Sequence, residues 1–134
     1  MFTLQQLKAA HSKVKTGADF PYYVQEIKAL GLIAYEFMVT DGSVVYYGEN
    51  GHQVTAGAIY EPLKINVNPS ADELRHTIAI HQQGKTDFIT FCKQAANAGV
   101  EKWVIDTRKM LCTYQDNAGN DLVAEPIPDG GYAG

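Results

Sequence analysis

Four ionisable side chains could take part in proton transfer or bind a polar ligand, and His81 is the foremost of them. Lys85 and Asp87 follow His81 within six residues, and Glu125 stands near the end of the chain. Histidine titrates closest to neutral pH, and a carboxylate or amine within hydrogen-bond reach can tune it for acid–base work. One hypothesis is therefore an enzyme that uses His81 with Asp87, Lys85 or Glu125.

The position of His81 also allows a structural role. Helical spacing places it on the same face as Leu74 and Ile78, at the end of a helix that should face the sheet. An unpaired buried imidazole costs on the order of 1–3 kcal/mol, so it needs a hydrogen-bond partner. Asp87, Gln83 or a tyrosine could be that partner.

Other chemical motifs are incomplete. Gly84-Lys85-Thr86 resembles the end of a phosphate-binding loop, but Ala79 stands where that loop needs a second glycine, and the triplet links two predicted helices. Glu73 and His76 have the i,i+3 spacing of a carboxylate-bridged metal helix, which needs a second such motif. The sequence predicts no metal and no cofactor.

The two cysteines are predicted to be buried thiols rather than nucleophiles. Cys92 lies on the apolar stripe of its helix, away from the helix N-terminus where a thiolate is favoured. Cys112 occupies an inward strand position. Small buried hydrophobes are the commonest role for such cysteines.

Aromatic side chains are the second candidate for a site. Strand alternation places five rings on one face of the predicted sheet, and buried tyrosine and tryptophan need hydrogen-bond partners. Apolar clefts with a few polar groups are typical of ligand sites. The predicted ligand-binding residues are His81, Lys85, Asp87, Tyr46, Trp103 and Tyr114, with Tyr35 and Phe37 beside them.

Composition excludes several classes of protein. The chain has 134 residues, 46% of them hydrophobic and 19% charged, which is typical of a globular domain. Eleven basic against fifteen acidic residues give a net charge of −4, which argues against nucleic-acid binding. No apolar run approaches the roughly 20 residues that span a bilayer. Two cysteines without a disulfide framework, and no secretory signal, predict a cytoplasmic protein.

Turn and capping residues divide the chain into alternating helices and strands. Thr3, Asp19, Ser70 and Asp87 are predicted helix caps, Gly17 is predicted to end the first helix, and Asp41-Gly42 is predicted to be a two-residue hairpin turn. The tail from residue 126 to 134 is rich in Pro and Gly and is predicted to be flexible. The predicted helices end near residues 14, 30, 83 and 98, and the predicted strands cover 32–40, 43–47, 54–60, 64–67, 102–107, 109–115 and 121–125.

The chain resembles itself at an offset of 68 residues. This offset pairs Asp19-Phe20 with Asp87-Phe88, Gly31 with Gly99, Tyr46 with Tyr114 and Gly51 with Gly119. The paired positions are a cap, a helix-ending glycine, an inward strand residue and a turn glycine. The pattern predicts one α+β domain with four helices on one face of an antiparallel sheet. Its two pseudo-repeats of helix–helix–hairpin would cover about 3–67 and 70–125.

Several runs together resemble a small bacterial and phage-associated domain family of unknown function, in which some members are labelled "phage envelope protein". The resemblance covers nearly the whole chain and implies no activity, cofactor or catalytic residue. The runs that carry it are Gly17 to Pro21, Tyr35 to Val39 with Tyr46, His81 to Phe88, Gly99 to Trp103, Cys112 to Tyr114, Gly119-Asn120 and Glu125 to Pro128.

Three functional hypotheses remain open. The leading one is a non-catalytic module that binds a small molecule or a protein, or forms a homodimer, at the junction of the two pseudo-repeats. The second is the enzyme that uses His81. The third, which rests on the family label alone, is a phage-derived structural or regulatory accessory protein.

Overall fold

The computed structural model describes residues 1–15 and 19–128 and shows the predicted α+β fold. None of the described helices has the length and apolar character needed to cross a membrane. Within these residues lie four α-helices and one six-stranded sheet: α1 (Leu4–His11), α2 (Phe20–Ala29), β1 (Leu32–Met38), β2 (Val44–Gly48), β3 (Gln53–Ala56), α3 (Ala71–Gln82), α4 (Phe88–Asn97), β4 (Lys102–Asp106), β5 (Leu111–Gln115) and β6 (Asp121–Pro126).

The sheet is antiparallel throughout, in the order β3-β2-β1-β4-β5-β6. Directly paired residues point to the same face, so the registers define rows of side chains that run across the strands. Two rows face the helices. One contains Val54, Tyr46, Tyr35, Ile105, Cys112 and Glu125, and the other contains Ala56, Val44, Phe37, Trp103, Tyr114 and Val123.

The core lies between this face of the sheet and the helices. Buried residues alternate with half-buried ones along β2, β4 and β5, as expected when one face of a sheet is covered. The backbone of α2 packs on β1 and that of α3 on β6. From the helices, Leu7, Val24, Ile27 and Leu74 are completely buried. The predicted placement of the helices on one face is therefore confirmed.

All four predicted cap residues stand at the N-cap position of a helix, and three of them form a side-chain capping hydrogen bond. Thr3 and Gln6 form a reciprocal capping box, Ser70 accepts from the Glu73 N–H, and Asp87 accepts from the Thr90 N–H at 2.7 Å. Asp19 occupies the N-cap position of α2 as predicted, but its side chain makes no capping hydrogen bond, and its carboxylate accepts from the Lys15 N–H. Helix α1 also ends at His11 instead of near residue 14. Gly17, the predicted helix breaker, lies outside the described residues.

The predicted two-residue turn at Asp41-Gly42 is wrong. β1 ends at Met38 and β2 begins at Val44, so the connection has five residues, and Gly42 alone among them has a positive φ of 76°. A Cβ on Gly42 would lie 2.4 Å from Ile59. The loop is longer because residues 40–41 also accept hydrogen bonds from the backbone of residues 59 and 63.

The strand predicted at 64–67 is absent, and the strand predicted at 54–60 covers only Gln53–Ala56. Residues 57–70 instead cross from β3 to α3 as an irregular segment. Leu63 and Ile65 are partly buried against the core. The apolar residues of this stretch therefore pack on the core from a loop instead of a strand.

Corresponding elements recur 68 residues apart. The bounds of α2, 20–29, become those of α4, 88–97. The strand pair Tyr35–Tyr46 in the first half corresponds to the pair Trp103–Tyr114 in the second half. Where the two halves meet, Glu36 pairs with Val104, the residue 68 positions after it. The pairing of β2 with β3 matches that of β5 with β6 at the 68-residue offset only next to the turn. Farther from the turn the two registers differ, because the register of β5 and β6 shifts between Tyr114 and Gln115.

The C-terminal segment is ordered beyond the point where flexibility was predicted. Strand β6 includes Pro126, and Ile127 is buried with its N–H donating to the Met110 carbonyl. The rest of the predicted tail, residues 129–134, lies outside the described residues.

Candidate functional site

A cavity of about 700 Å³ lies between the sheet and the helices. Its floor extends from Ala56 on β3 to Glu125 on β6, which are strands at opposite edges of the sheet. Both pairs of helices contribute to its walls, through His11 on α1, Tyr23 on α2 and His81 on α3 among others. The volume is within the range of about 300–1,000 Å³ typical of small-molecule sites.

Aromatic rings form most of the cavity surface. Nine of the chain's fourteen Phe, Tyr and Trp residues line it. Trp103, the only tryptophan, stacks on Phe37 with ring centroids 4.2 Å apart and tilts against Tyr114 at 5.8 Å. The nine are Phe20, Tyr23, Tyr35, Phe37, Tyr46, Phe88, Phe91, Trp103 and Tyr114.

Phe88 joins the two pairs of helices. The backbone of α1 packs on α2 and that of α3 on α4. Phe88, the first residue of α4, contacts His11 of α1 edge-on at 5.4 Å between ring centroids and Phe37 of the sheet at 5.4 Å. This ring contact therefore connects both helix pairs to the cavity floor.

His81 is held by two contacts and lines the cavity. Its ring stacks on Phe91 with centroids 4.3 Å apart, and Nδ1 lies 3.0 Å from the Thr86 hydroxyl and 3.1 Å from the Thr86 carbonyl. The partner predicted for this ring, Asp87, Gln83 or a tyrosine, is thus replaced by Thr86. Burial lowers the pKa of His81, although the Thr86 carbonyl and the charge of Asp87 partly oppose the shift.

A group of four tyrosines supplies hydroxyls near the floor. Burial is the main cause that raises the pKa of Tyr35, and the neighbouring hydroxyls and the Cys112 thiol raise it further. Burial also raises the pKa values of Tyr23, Tyr46 and Tyr114. The Tyr46 hydroxyl is among the groups that raise the pKa of Tyr23, and the Cys112 thiol is among those that raise the pKa of Tyr114. All four hydroxyls are therefore neutral across the physiological pH range.

Several polar groups of the interior make no hydrogen bond to the described residues, and the Tyr35 hydroxyl and His81 Nε2 are two of them. Within the described chain, the one fully enclosed polar side-chain atom without a partner is Gln94 Oε1. The Tyr35 and His81 atoms are thus not fully enclosed, which leaves them open to the cavity. Burial lowers the pKa of His11 as well, at the more exposed end of α1.

The structure brings together four of the six predicted site residues. Tyr46, Trp103, Tyr114 and His81 line the cavity, whereas Lys85 and Asp87 do not belong to its lining. Asp87 instead caps α4, and its pKa is lowered by hydrogen bonds from Thr90. Glu125, the third proposed partner of His81, lines the cavity and accepts from the Gln82 amide at 3.4 Å.

Sequence reasoning missed several lining residues, His11, Tyr23, Phe20 and Phe88 among them. His11 and Tyr23 lie on helix faces that are otherwise apolar, beside Leu7 on α1 and Val24 and Ile27 on α2. The signal that could have singled them out is polarity on such a face at the end of a short helix, where the packing opens.

Both cysteines are free and buried, as the sequence predicts. Burial raises the pKa of Cys92 and of Cys112 to about 12. In the described part of the chain, no three His, Cys, Asp or Glu side chains are grouped so that they could hold a metal ion.

No curated protein matches the chain. The family model described as "Protein of unknown function (DUF1398)" matches residues 8–126, from α1 through β6. That match spans every strand and helix that lines the cavity, and the chain therefore belongs to this family of unknown function.

Proposed function

We propose that the protein is a non-catalytic module that binds a small molecule in the cavity between the sheet and the two helix pairs. The observation that carries the proposal is the cavity of about 700 Å³ with nine aromatic side chains in its lining. A well-packed core of this size would hold few voids larger than a water molecule. An aromatic cavity of this volume is the usual form of a ligand site.

The arrangement of charged groups supports binding over catalysis. Of the three proposed partners of His81, Lys85 and Asp87 lie outside the cavity lining, and Asp87 is engaged as a helix cap. The Nδ1 atom of His81 is occupied by Thr86 rather than by a carboxylate. An activated nucleophile usually lies beside a base that a third group orients. The thiol that lines the cavity, Cys112, is protonated, because burial raises its pKa to about 12.

Internal duplication of one helix–helix–hairpin unit is part of the same proposal. The recurring helix bounds and strand registers at 68 residues support it. Each unit supplies one helix pair and one half of the floor. The proposed site is then the junction where the two units join through β1 and β4.

Binding can be measured with Nile red, an uncharged apolar dye whose emission rises when it leaves water. The variant Val44→Phe adds a ring to the cavity floor, and Val45→Phe makes the same change on the opposite face of β2. We expect micromolar dye binding that Val44→Phe weakens at least tenfold and Val45→Phe leaves unchanged. No saturable binding, or equal loss in both variants, would contradict the proposal.

A cytoplasmic location and the phage association remain predictions about the setting of this activity. Two buried thiols without a disulfide support a reducing compartment. A homodimer or a protein partner is compatible with a ligand site, and sedimentation of the purified protein measures the oligomeric state directly.

A further inference from the structure

The shape of the cavity restricts what can occupy it. Its lining reaches from Ala56 on β3 to Glu125 on β6. Five strand spacings separate these edges, which at about 4.8 Å each amounts to about 24 Å. The volume of about 700 Å³ would fill a cube with edges of only about 9 Å. The space is therefore longer than it is wide, and a compact ligand would leave much of it empty.

The walls favour flat rings over a flexible chain. Phe37 and Trp103 are stacked on the floor, and Phe88 meets both rings at steep angles. Aromatic pairs in offset-stacked or edge-to-face geometry contribute about 0.5–1.5 kcal/mol beyond the area they bury. A ligand with rings gains these contacts, while an alkyl chain of the same area does not.

Charge is absent from the middle of the cavity. The tyrosines are protonated, because burial raises their pKa values, and burial keeps His81 neutral near pH 7. Among the described residues, the lysine and carboxylate side chains that line the cavity are Lys8 on α1 and Glu125 on β6, which belong to opposite halves of the fold. A charged group at the centre of the ligand would lose its hydration without gaining a counter-ion.

Polar groups of the cavity that lack a hydrogen-bond partner indicate that the ligand carries hydrogen-bonding groups. The Tyr35 hydroxyl and His81 Nε2 have no partner among the described residues. Each can donate or accept, according to how the hydroxyl rotates or which imidazole tautomer is present. A ligand hydroxyl, carbonyl or ring N–H would satisfy them.

We infer that the ligand is an elongated, uncharged aromatic molecule with two or more rings that carries hydroxyl or carbonyl groups. This inference rests on the proposed function and adds the chemical class. Rings occupy the space over Phe37 and Trp103, and a polar substituent reaches Tyr35 or His81.

Competition against bound Nile red tests the class with three probes. 4-Phenylphenol has two rings and a hydroxyl, biphenyl-4-carboxylate replaces the hydroxyl with a charge, and dodecan-1-ol replaces the rings with a chain. We expect 4-phenylphenol to displace the dye at a concentration at least tenfold lower than either of the others.

A double variant and a matched control test whether the protein forms a hydrogen bond with the ligand. Tyr35→Phe combined with His81→Phe removes these two polar groups, while Tyr47→Phe removes a hydroxyl from the opposite face of the sheet. The loss of one hydrogen bond weakens binding by about 3- to 10-fold. We expect that loss for 4-phenylphenol in the double variant, no loss for unsubstituted biphenyl, and no loss of either in Tyr47→Phe. Thermal unfolding of each variant shows whether the protein is folded.

The outcomes separate the two proposals. If Nile red binds and Val44→Phe blocks it, but dodecan-1-ol or the carboxylate competes as well as 4-phenylphenol, the chemical class is wrong and the binding module stands. If the double variant binds 4-phenylphenol as tightly as the unaltered protein, the hydrogen-bonding role is wrong. If Nile red does not bind, the proposed function itself fails.

Discussion

The imidazole of His11 meets the ring of Phe88 edge-on with centroids 5.4 Å apart, and this contact connects α1 with the start of α4. Phe88 also contacts Phe37 and Trp103 on the floor of the cavity. One half-buried ring at the start of the last helix thus contacts the first helix pair and the cavity floor.

Replacing Phe88 with Ala should lower the free energy of unfolding by about 2 kcal/mol, less than the 3–5 kcal/mol typical of a fully buried Phe, because this ring is only half-buried. It should also expose Trp103 and shift its emission to longer wavelength. Urea unfolding followed by fluorescence measures both effects. Ile89→Ala, at the neighbouring exposed position, should change stability by less than about 0.5 kcal/mol. An unchanged emission spectrum in Phe88→Ala would show that the ring does not cover Trp103.

Stability should fall as the pH drops below about 6.5, the pKa of histidine in the unfolded chain. Burial lowers the folded-state pKa of His81 and of His11, so the unfolded chain binds protons first and acid favours it. Above pH 6.5 these two groups should contribute no slope.

Thermal unfolding between pH 5.5 and 7.5 measures this dependence. His11→Gln combined with His81→Gln should flatten the slope in this window, whereas His76→Gln, at an exposed position of α3, should leave it as it is. A slope that survives in the double variant would assign it to other groups.

Two glycines at corresponding positions should respond differently to the same substitution. Gly31 and Gly99 both have positive φ, 101° and 91°, which is unfavourable for alanine. An added Cβ at Gly31 meets nothing within 4 Å, whereas at Gly99 it would lie 2.5 Å from the backbone Cα of Pro69. We expect Gly31→Ala to cost about 1–2 kcal/mol and Gly99→Ala at least about 1 kcal/mol more. Equal losses in urea unfolding would mean that the segment at Pro69 moves aside freely.

Both thiols should be unreactive in the folded protein. The pKa of each is raised to about 12 by burial, so almost no thiolate is present at pH 8. Ellman's reagent should label neither cysteine within minutes under native conditions and should label both in guanidinium chloride. Rapid labelling of one thiol in the native protein would show that its burial is transient.

Local sequence signals predicted the elements but not all of their connections. The caps at Ser70 and Asp87 and the alternation along β4 and β5 depend on neighbouring residues, and these predictions are confirmed. Asp41-Gly42 failed as a turn because residues 59–63 pack on it from elsewhere in the chain. Contacts between distant segments leave no local pattern to find.

The candidate site was predictable in part for the same reason. Strand alternation predicted that Tyr46, Trp103 and Tyr114 share a face, and all three line the cavity. The sequence could not show that the helix pairs leave space above this face, since that depends on how they pack together. Lys85 and Asp87 are close to His81 along the chain, yet the turn between α3 and α4 keeps them out of the cavity lining.

Because the register shifts between Tyr114 and Gln115, different side chains line the two ends of the cavity. If both halves were geometrically equal, an occupant could enter in either of two orientations, and neither would be favoured. Because Glu125 lines the space on β6 while Ala56 and Ile59 line it beside β3, the two directions are inequivalent. An asymmetric molecule should therefore bind in a single orientation, with its head and tail distinguished by the protein.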